Sequence, residues 1–332
     1  MSSQINIFLA VQELPTPKSR ASKMSMVAEA PGYIQVFSDG SVKRFASEVA
    51  PPSIESPNGY KSKDVIIDPS KPVTARMFLP DTSEAAFQVP VLVYFHGGGF
   101  SIGSTTWLGY HYFLGDLSVA SKSIVLSVDY RLAPENKLPT AYDDCYSALD
   151  WVSSEKSSEP WLERADLSRV FLSGDSAGGN IAHQVAIKAI RDKACRVKIK
   201  GLLPIHPYFG SQRRTVLEMA DGAATDVAMN DMFWRLSLPD GSDRDYYGCN
   251  FEKVEMCNEE WRRFPAVVVY VAELDFLKER GVTYAEFLQK KGVKGVSLVE
   301  SEGESHVYHV FRPESEATRL LQKQMSEFIN SH

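Results

Sequence analysis

The 332 residues, 44% hydrophobic and 23% charged, are enough chain for one large domain or two smaller ones with a sizeable core. Lys and Arg number 36 against 42 Asp and Glu, a net charge of −6, and no basic run supplies a local footprint for nucleic acid. No stretch approaches the ~18 apolar residues of a membrane helix, and IFLAV, without a basic leader, does not read as a secretory signal.

In chain order, residues 1–30 are mixed, with Pro15, Pro17 and several serines, and are expected to be loosely ordered. YIQVFSDGSVKRF (33–45) alternates around Asp39-Gly40 and reads as a hairpin. DVIID (64–68) and VTARMFL (73–79) are strand-like, and VLVYF (91–95) is apolar throughout, as a strand buried on both faces should be. A helix over 107–120, a strand over 123–130 and a helix over 141–152 follow. RVFLSG (169–174) is a strand, 177–192 a helix with Ile181, Val185 and Ala189 near one face, and IKGLLPIH (199–206) a strand. The segment from Pro207 to about Arg263 breaks this rhythm: it is aromatic-rich, has little β pattern, and reads as a cap or lid. Strand AVVVYVA (266–272), helix 279–291, strand VSLVE (296–300) and a closing helix 314–329 complete the chain. Strands alternating with helices predict an α/β fold: a mostly parallel sheet with helices on both faces. Cys145, Cys195, Cys249 and Cys257 fall in no CxxC pattern and read as reduced thiols of a cytoplasmic protein.

The strongest local signal is Gly174-Asp175-Ser176-Ala177-Gly178, a GxSxG sequence between a buried strand and a helix. That setting is what a nucleophile elbow requires: a sharp turn lifts the Ser176 hydroxyl clear of the sheet. The second signal is His96-Gly97-Gly98-Gly99, directly after VLVYF, where bare backbone N–H groups can donate to an oxyanion. No Lys-Ser/Thr follows it, so a phosphate-cradling loop is excluded. A serine nucleophile needs a base. His306, in the loop after the last strand, lies where parallel sheets gather their catalytic groups, with His309 as the runner-up. His111, His183, His206 and His332 read as packing or surface histidines. Beyond AVVVYVA, Asp275 is better placed than Glu273 to orient the imidazole. The roles are nucleophile for Ser176, orienting acid for Asp275 and general acid/base for His306. There is no HExxH and no GxGxxG, so neither metal nor nucleotide cofactor is expected. Trp107, Tyr110 and His111, with Tyr208, Phe209, Phe233 and Trp234 of the excursion, are candidates to line a substrate pocket.

The order Ser176, Asp275, His306 matches that of α/β hydrolases. HGGGF, DYRLAPE (129–135) and GDSAGGN (174–180) resemble the hormone-sensitive-lipase-like branch of that family. YIQVFSDGSVKRF with PPS, LDFLKERG and GESHVYHVF are similar to its plant carboxylesterase group. The resemblance covers about residues 30–330 and implies a single α/β-hydrolase domain over 1–332, with a helical cap from about 1–45 and 207–263. It also implies oxyanion donors at the N–H groups of Gly98, Gly99 and Ala177, and a site-bracing role for Asp144. The implied activity is a cytoplasmic, monomeric serine carboxylesterase acting on small to medium apolar esters without a cofactor. The same scaffold carries gibberellin receptors, which replace the triad histidine, and dehydratases and cyclases of specialised metabolism. Those are the alternatives, and retention of Ser176, Asp275, His306 and the HGGG glycines favours the esterase.

Overall fold

Apolar runs with β-branched residues form the middle of an eight-stranded sheet in the computed structural model, which describes residues 25–45, 47–81, 88–154 and 158–332. In chain order the first elements are β1 (Met26–Ala30), β2 (Ile34–Phe37), β3 (Val42–Arg44), β4 (Tyr60–Asp68), β5 (Val73–Pro80) and β6 (Val89–Phe95). Then come α1 (Leu108–Ser121), β7 (Ile124–Asp129), α2 (Thr140–Ser154), β8 (Ala165–Asp175), α3 (Ala177–Arg191) and β9 (Ile199–Ile205). The chain continues through α4 (Ala224–Ser237), α5 (Asn258–Arg262), β10 (Ala266–Ala272) and α6 (Lys278–Lys290). It ends with β11 (Val296–Ser301), α7 (Tyr308–Phe311) and α8 (Glu316–Ser331).

The sheet order is β11-β10-β9-β8-β6-β7-β5-β4, parallel from β11 to β7, with β5 running against both its neighbours. Successive side chains of a strand point to opposite faces. Val91, Val93 and Phe95 of β6 therefore join the core beneath α2, α3 and α6, while Leu92 and Tyr94 join the core beneath α1 and α8. β10 divides the same way, Val267, Val269 and Val271 against Val268 and Tyr270. Because both faces are buried, these strands carry no polar alternation.

Two expectations need correction. The segment up to residue 30 is not loose throughout: Met26–Ala30 forms β1, paired antiparallel with β2, and with β3 makes a separate three-stranded sheet. Its AEA sequence carries almost no apolar signal, so backbone pairing and the burial of Ala30 and Ile34 decide the outcome. Residues 1–24 lie outside the described chain. β4 also starts four residues early, at Tyr60, because the alternation of YKSK buries Tyr60 and Ser62 and continues the ladder to Pro80. The excursion between β9 and β10 contains no strand, as its pattern predicted. Trp234 of α4 packs on Phe100 and Tyr208, and Ser237 Oγ donates to the Gly99 carbonyl at 3.0 Å, so α4 lies directly over the HGGGF loop.

Candidate active site

β8 ends at Asp175 and α3 starts at Ala177, leaving Ser176 alone in the turn at φ 51°, ψ −117°. That conformation costs a non-glycine residue of order 1–3 kcal/mol and persists only where the surroundings hold it. Here the Ser176 N–H donates to Ile205 O at 2.9 Å, and its carbonyl accepts from the Tyr208 N–H at 2.9 Å. Gly178 presses on β6 so closely that a Cβ would sit 1.8 Å from the Phe95 carbonyl oxygen. The N-terminus of α3 is thereby aimed at the serine, where its dipole favours negative charge.

His306 Nε2 lies 3.0 Å from Ser176 Oγ, and His306 Nδ1 lies 2.6 Å from Asp275 Oδ2. Asp275 is 2% exposed, and its other oxygen accepts from the Leu277 N–H at 2.8 Å. Burial alone would raise the Asp275 carboxyl, but the His306 charge and hydrogen bond, His206 and the Leu277 N–H together hold it below the ordinary 3.8. Burial opposes charging of His306, yet Asp275, with Asp175 and Asp226 farther off, lifts it above 6.5. The three expected residues therefore form one hydrogen-bonded chain. Of the rival residues, His309 is fully buried against Phe113, and Glu273 accepts from the Gly303 N–H at 2.7 Å, tying two loops together.

Two polar residues that the sequence reading did not single out complete the frame. His206, at the end of β9, accepts the Val307 N–H at Nδ1 at 2.8 Å and so fixes the turn that carries His306. Burial lowers its pKa to about 3, so it is a neutral acceptor there. Asp175 is buried beneath the oxyanion loop, receiving Tyr94 Oη at 2.8 Å, Tyr110 Oη at 2.9 Å and the Gly97 N–H at 3.0 Å. The acid beside the nucleophile, GDS, was the available signal for it. DYRLAPE braces the same loop: Tyr130 Oη donates to His96 O at 2.9 Å and the Ala133 N–H to Phe100 O at 2.8 Å. Asp144, 1% exposed, holds Arg131 through both oxygens at 2.9 and 2.7 Å, which is the bracing role the resemblance implied.

His206, Asp275 and His306 each present a ligand atom within 4.8 Å of the others. Asp275 and His306 are hydrogen-bonded to each other, His306 Nε2 faces Ser176 and His206 Nδ1 accepts the Val307 N–H, so these ligand atoms already have partners. Among the described residues, Gly98, Gly99 and Ala177 spend no N–H on the protein, whereas the Gly97 N–H is taken by Asp175 and Tyr110. Three bare donors thus stand beside the serine.

A cavity of about 430 Å³ opens over this array, walled by Trp107, Tyr110, Tyr208, Phe233 and Met229, with Ala30 and Tyr33 contributed by the small N-terminal sheet. Three expected lining residues are elsewhere. His111 points away from Tyr110, between Tyr60 and Phe78, with Nδ1 3.2 Å from Arg76; burial and that cation lower its pKa to about 4. Phe209 faces Phe251 and Tyr284 in the core. Trp234 stacks flat on Tyr208 at 4.4 Å, behind the wall that Phe233 forms. Neighbouring helical positions differ by about 100°, so in α1 and α4 one member of the pair faces the cavity and the next faces the core; Tyr208 and Phe209 diverge in the irregular chain after β9.

A nucleophile elbow, a serine–histidine–aspartate chain in that connectivity and a mostly parallel sheet define an α/β hydrolase. The family model of the alpha/beta hydrolase fold matches residues 92–310, and the chain belongs to that family. It is 37% identical to probable carboxylesterase 6 of Arabidopsis thaliana, over 86% of this chain and 85% of the relative. It is also 37% identical to tuliposide A-converting enzyme 1, chloroplastic, of Tulipa gesneriana, over 89% of this chain and 75% of that one. Among solved structures, a hyperthermophilic esterase from Pyrobaculum calidifontis superposes with TM-score 0.69 at 29% identity, over 82% of this chain and 83% of that one.

Proposed function

We propose that the protein is a serine carboxylesterase that hydrolyses small to medium apolar carboxylic esters through an acyl-enzyme. The hydrogen-bonded run Ser176–His306–Asp275, at 3.0 and 2.6 Å on the floor of an apolar-walled cavity, carries the reading. His306 Nε2 takes the Ser176 proton as Oγ bonds to the ester carbonyl carbon, and the carbonyl π pair moves onto oxygen. The N–H groups of Gly98, Gly99 and Ala177 receive that oxyanion, with Asp275 offsetting the imidazolium charge. Collapse of the intermediate breaks the carbon–oxygen bond to the alcohol, which leaves with the proton from His306. Water then repeats both steps on the acyl-serine. No cofactor enters this sequence.

The cap is assigned to 25–45 and to about 207–263, the part of the expected 1–45 before residue 25 lying outside the described residues; Tyr33 and Phe233, from those two segments, both wall the cavity. Among the described residues no helix is long and apolar enough to cross a membrane. The four cysteines are unpaired, which suits a reducing compartment, here proposed as the cytoplasm.

Labelling tests the chemistry directly. A fluorophosphonate should modify one serine per chain, mapped by peptide mass spectrometry to Ser176; a label on any other residue, or none, overturns the assignment. The oxyanion donors have their own test. Gly98 sits at φ +106°, and a Cβ there would meet Ile102 O at 2.3 Å, so alanine must displace the loop. Gly98→Ala is expected to lower kcat for p-nitrophenyl butyrate by about 10²-fold or more, the usual cost of one lost oxyanion donor. A kcat within fivefold of wild type would remove Gly98 from the mechanism.

A further inference from the structure

One stripe of α4 faces the cavity: Asp226, Met229, Asn230 and Phe233, at the i, i+3, i+4 and i+7 spacing of a single helical face. Two of these four are apolar, in keeping with the rest of the wall. The other two are polar, with side chains that bond to no protein group, although the Asp226 charge acts at a distance on His306. Asn230 is 5% exposed, and its side-chain Oδ1 has no hydrogen-bond partner, although its backbone carbonyl accepts from Tyr208 Oη at 2.9 Å. Asp226 is exposed, and among the described residues its carboxylate has neither an ion pair nor a hydrogen bond. Three arginines of the site's surroundings bind other acids, Arg214 and Arg244 on Asp231 and Arg280 on Glu218, and the charge that feels Asp226 is His306, without a direct contact.

A buried amide oxygen without a donor is costly to the folded chain, and a ligand that supplies the donor recovers that cost. The χ2 torsion of asparagine is soft, so a modest rotation turns the carboxamide towards a ligand in the cavity. We propose that Asp226 and Asn230 form a polar subsite for a hydroxyl-bearing half of the ester, so that the substrate pairs an apolar acyl group with a polyol. This rests on the esterase reading and deepens it. Adjacent hydroxyls can donate to the Asp226 carboxylate and the Asn230 oxygen together, and can accept from the Asn230 amide. An ammonium group would use only the acceptors, and its attraction to an exposed carboxylate is screened by water and salt. A site built to bond a substrate hydroxyl rejects the analogue that lacks it, because its own polar groups are then left unpaired.

The experiment compares kcat/KM for 6-O-butyryl glucose with that for cyclohexylmethyl butyrate, by pH-stat titration of the released butyrate. Wild type is expected to favour the glucose ester by about tenfold or more, and Asn230→Leu to lower that ratio by about tenfold, one hydrogen bond's worth of discrimination. Asp226→Ala, at an exposed position, supplies the test if the first variant fails to fold; it should lower the ratio at least threefold. A wild type that prefers the cyclohexyl ester, or a ratio that the folded variants leave unmoved, overturns the proposal. So does an Asp226→Ala loss larger for butyrylcholine than for the glucose ester, which would reassign the pair to cations. Hydrolysis of p-nitrophenyl butyrate by the same wild-type preparation separates the two levels. If that ester is cleaved and the glucose ester is not, only the subsite fails; if neither is cleaved, the esterase reading fails.

Discussion

Ser176→Ala is expected to lower turnover of p-nitrophenyl butyrate by about 10⁴- to 10⁶-fold while leaving the fold intact. The loss is large because the other groups of the site act only through the serine: His306 Nε2, 3.0 Å from Oγ, has no other proton to take in the first step. The fold should survive because alanine has the same backbone preferences at φ 51° that serine has, and removes one oxygen from a residue already 6% exposed. The strain of the turn is held by backbone bonds to Ile205 and Tyr208, which alanine keeps. His306→Ala should lose nearly as much, and the double variant little more, since residues that work as a unit are far from additive. Steady-state rates with a thermal melt on each variant decide it. Ser176→Ala with an unchanged melting temperature and more than one hundredth of wild-type turnover would show that another group is the nucleophile.

How much of this was legible in the sequence depends on the range of the interaction that decides each position. VLVYF and AVVVYVA announce themselves because burial on both faces demands an unbroken apolar run. The triad residues were legible for a related reason: the GxSxG sequence marks Ser176, and because the loops after strands of a parallel sheet converge at one edge, strand ends narrow the acid to Asp275 or Glu273 and the base to His306 or His309. β1 was not legible, since Ala28, Glu29 and Ala30 gain their order from pairing with residues 34–36 rather than from their own pattern. His206 looked like any strand-end histidine until Val307 was seen to turn back on it. The pocket was half legible. Aromatic pairs such as Tyr110–His111, Tyr208–Phe209 and Phe233–Trp234 each put one member on the wall, and which one is fixed only by tertiary packing, through helix rotation in α1 and α4 and through the loop path at Tyr208–Phe209.

The orienting acid provides the second large effect, and the geometry specifies how it arises. Asp275 uses Oδ1 for the Leu277 N–H and Oδ2 for His306 Nδ1. In Asp275→Asn, the single carboxamide oxygen is needed by the Leu277 N–H, which turns the NH₂ towards His306. A donor facing Nδ1 forces the tautomer that carries its proton on Nε2, and that nitrogen can no longer accept from Ser176. A loss of about 10⁴-fold in kcat follows, with the backbone undisturbed. The pH dependence should move as well. Below its pKa the His306 imidazolium cannot act as a base, so kcat/KM of wild type rises with pH and levels off above a midpoint higher than 6.5, because Asp275 overrides the effect of burial. With a neutral amide in place of the carboxylate, burial is left to dominate, and the residual activity should show its acidic limb at lower pH than wild type. Profiles of kcat/KM for p-nitrophenyl butyrate from pH 5 to 9 test both parts. An Asp275→Asn enzyme within tenfold of wild type, or with an unmoved acidic limb, would mean that Asp275 neither sets the tautomer nor holds the charge of His306.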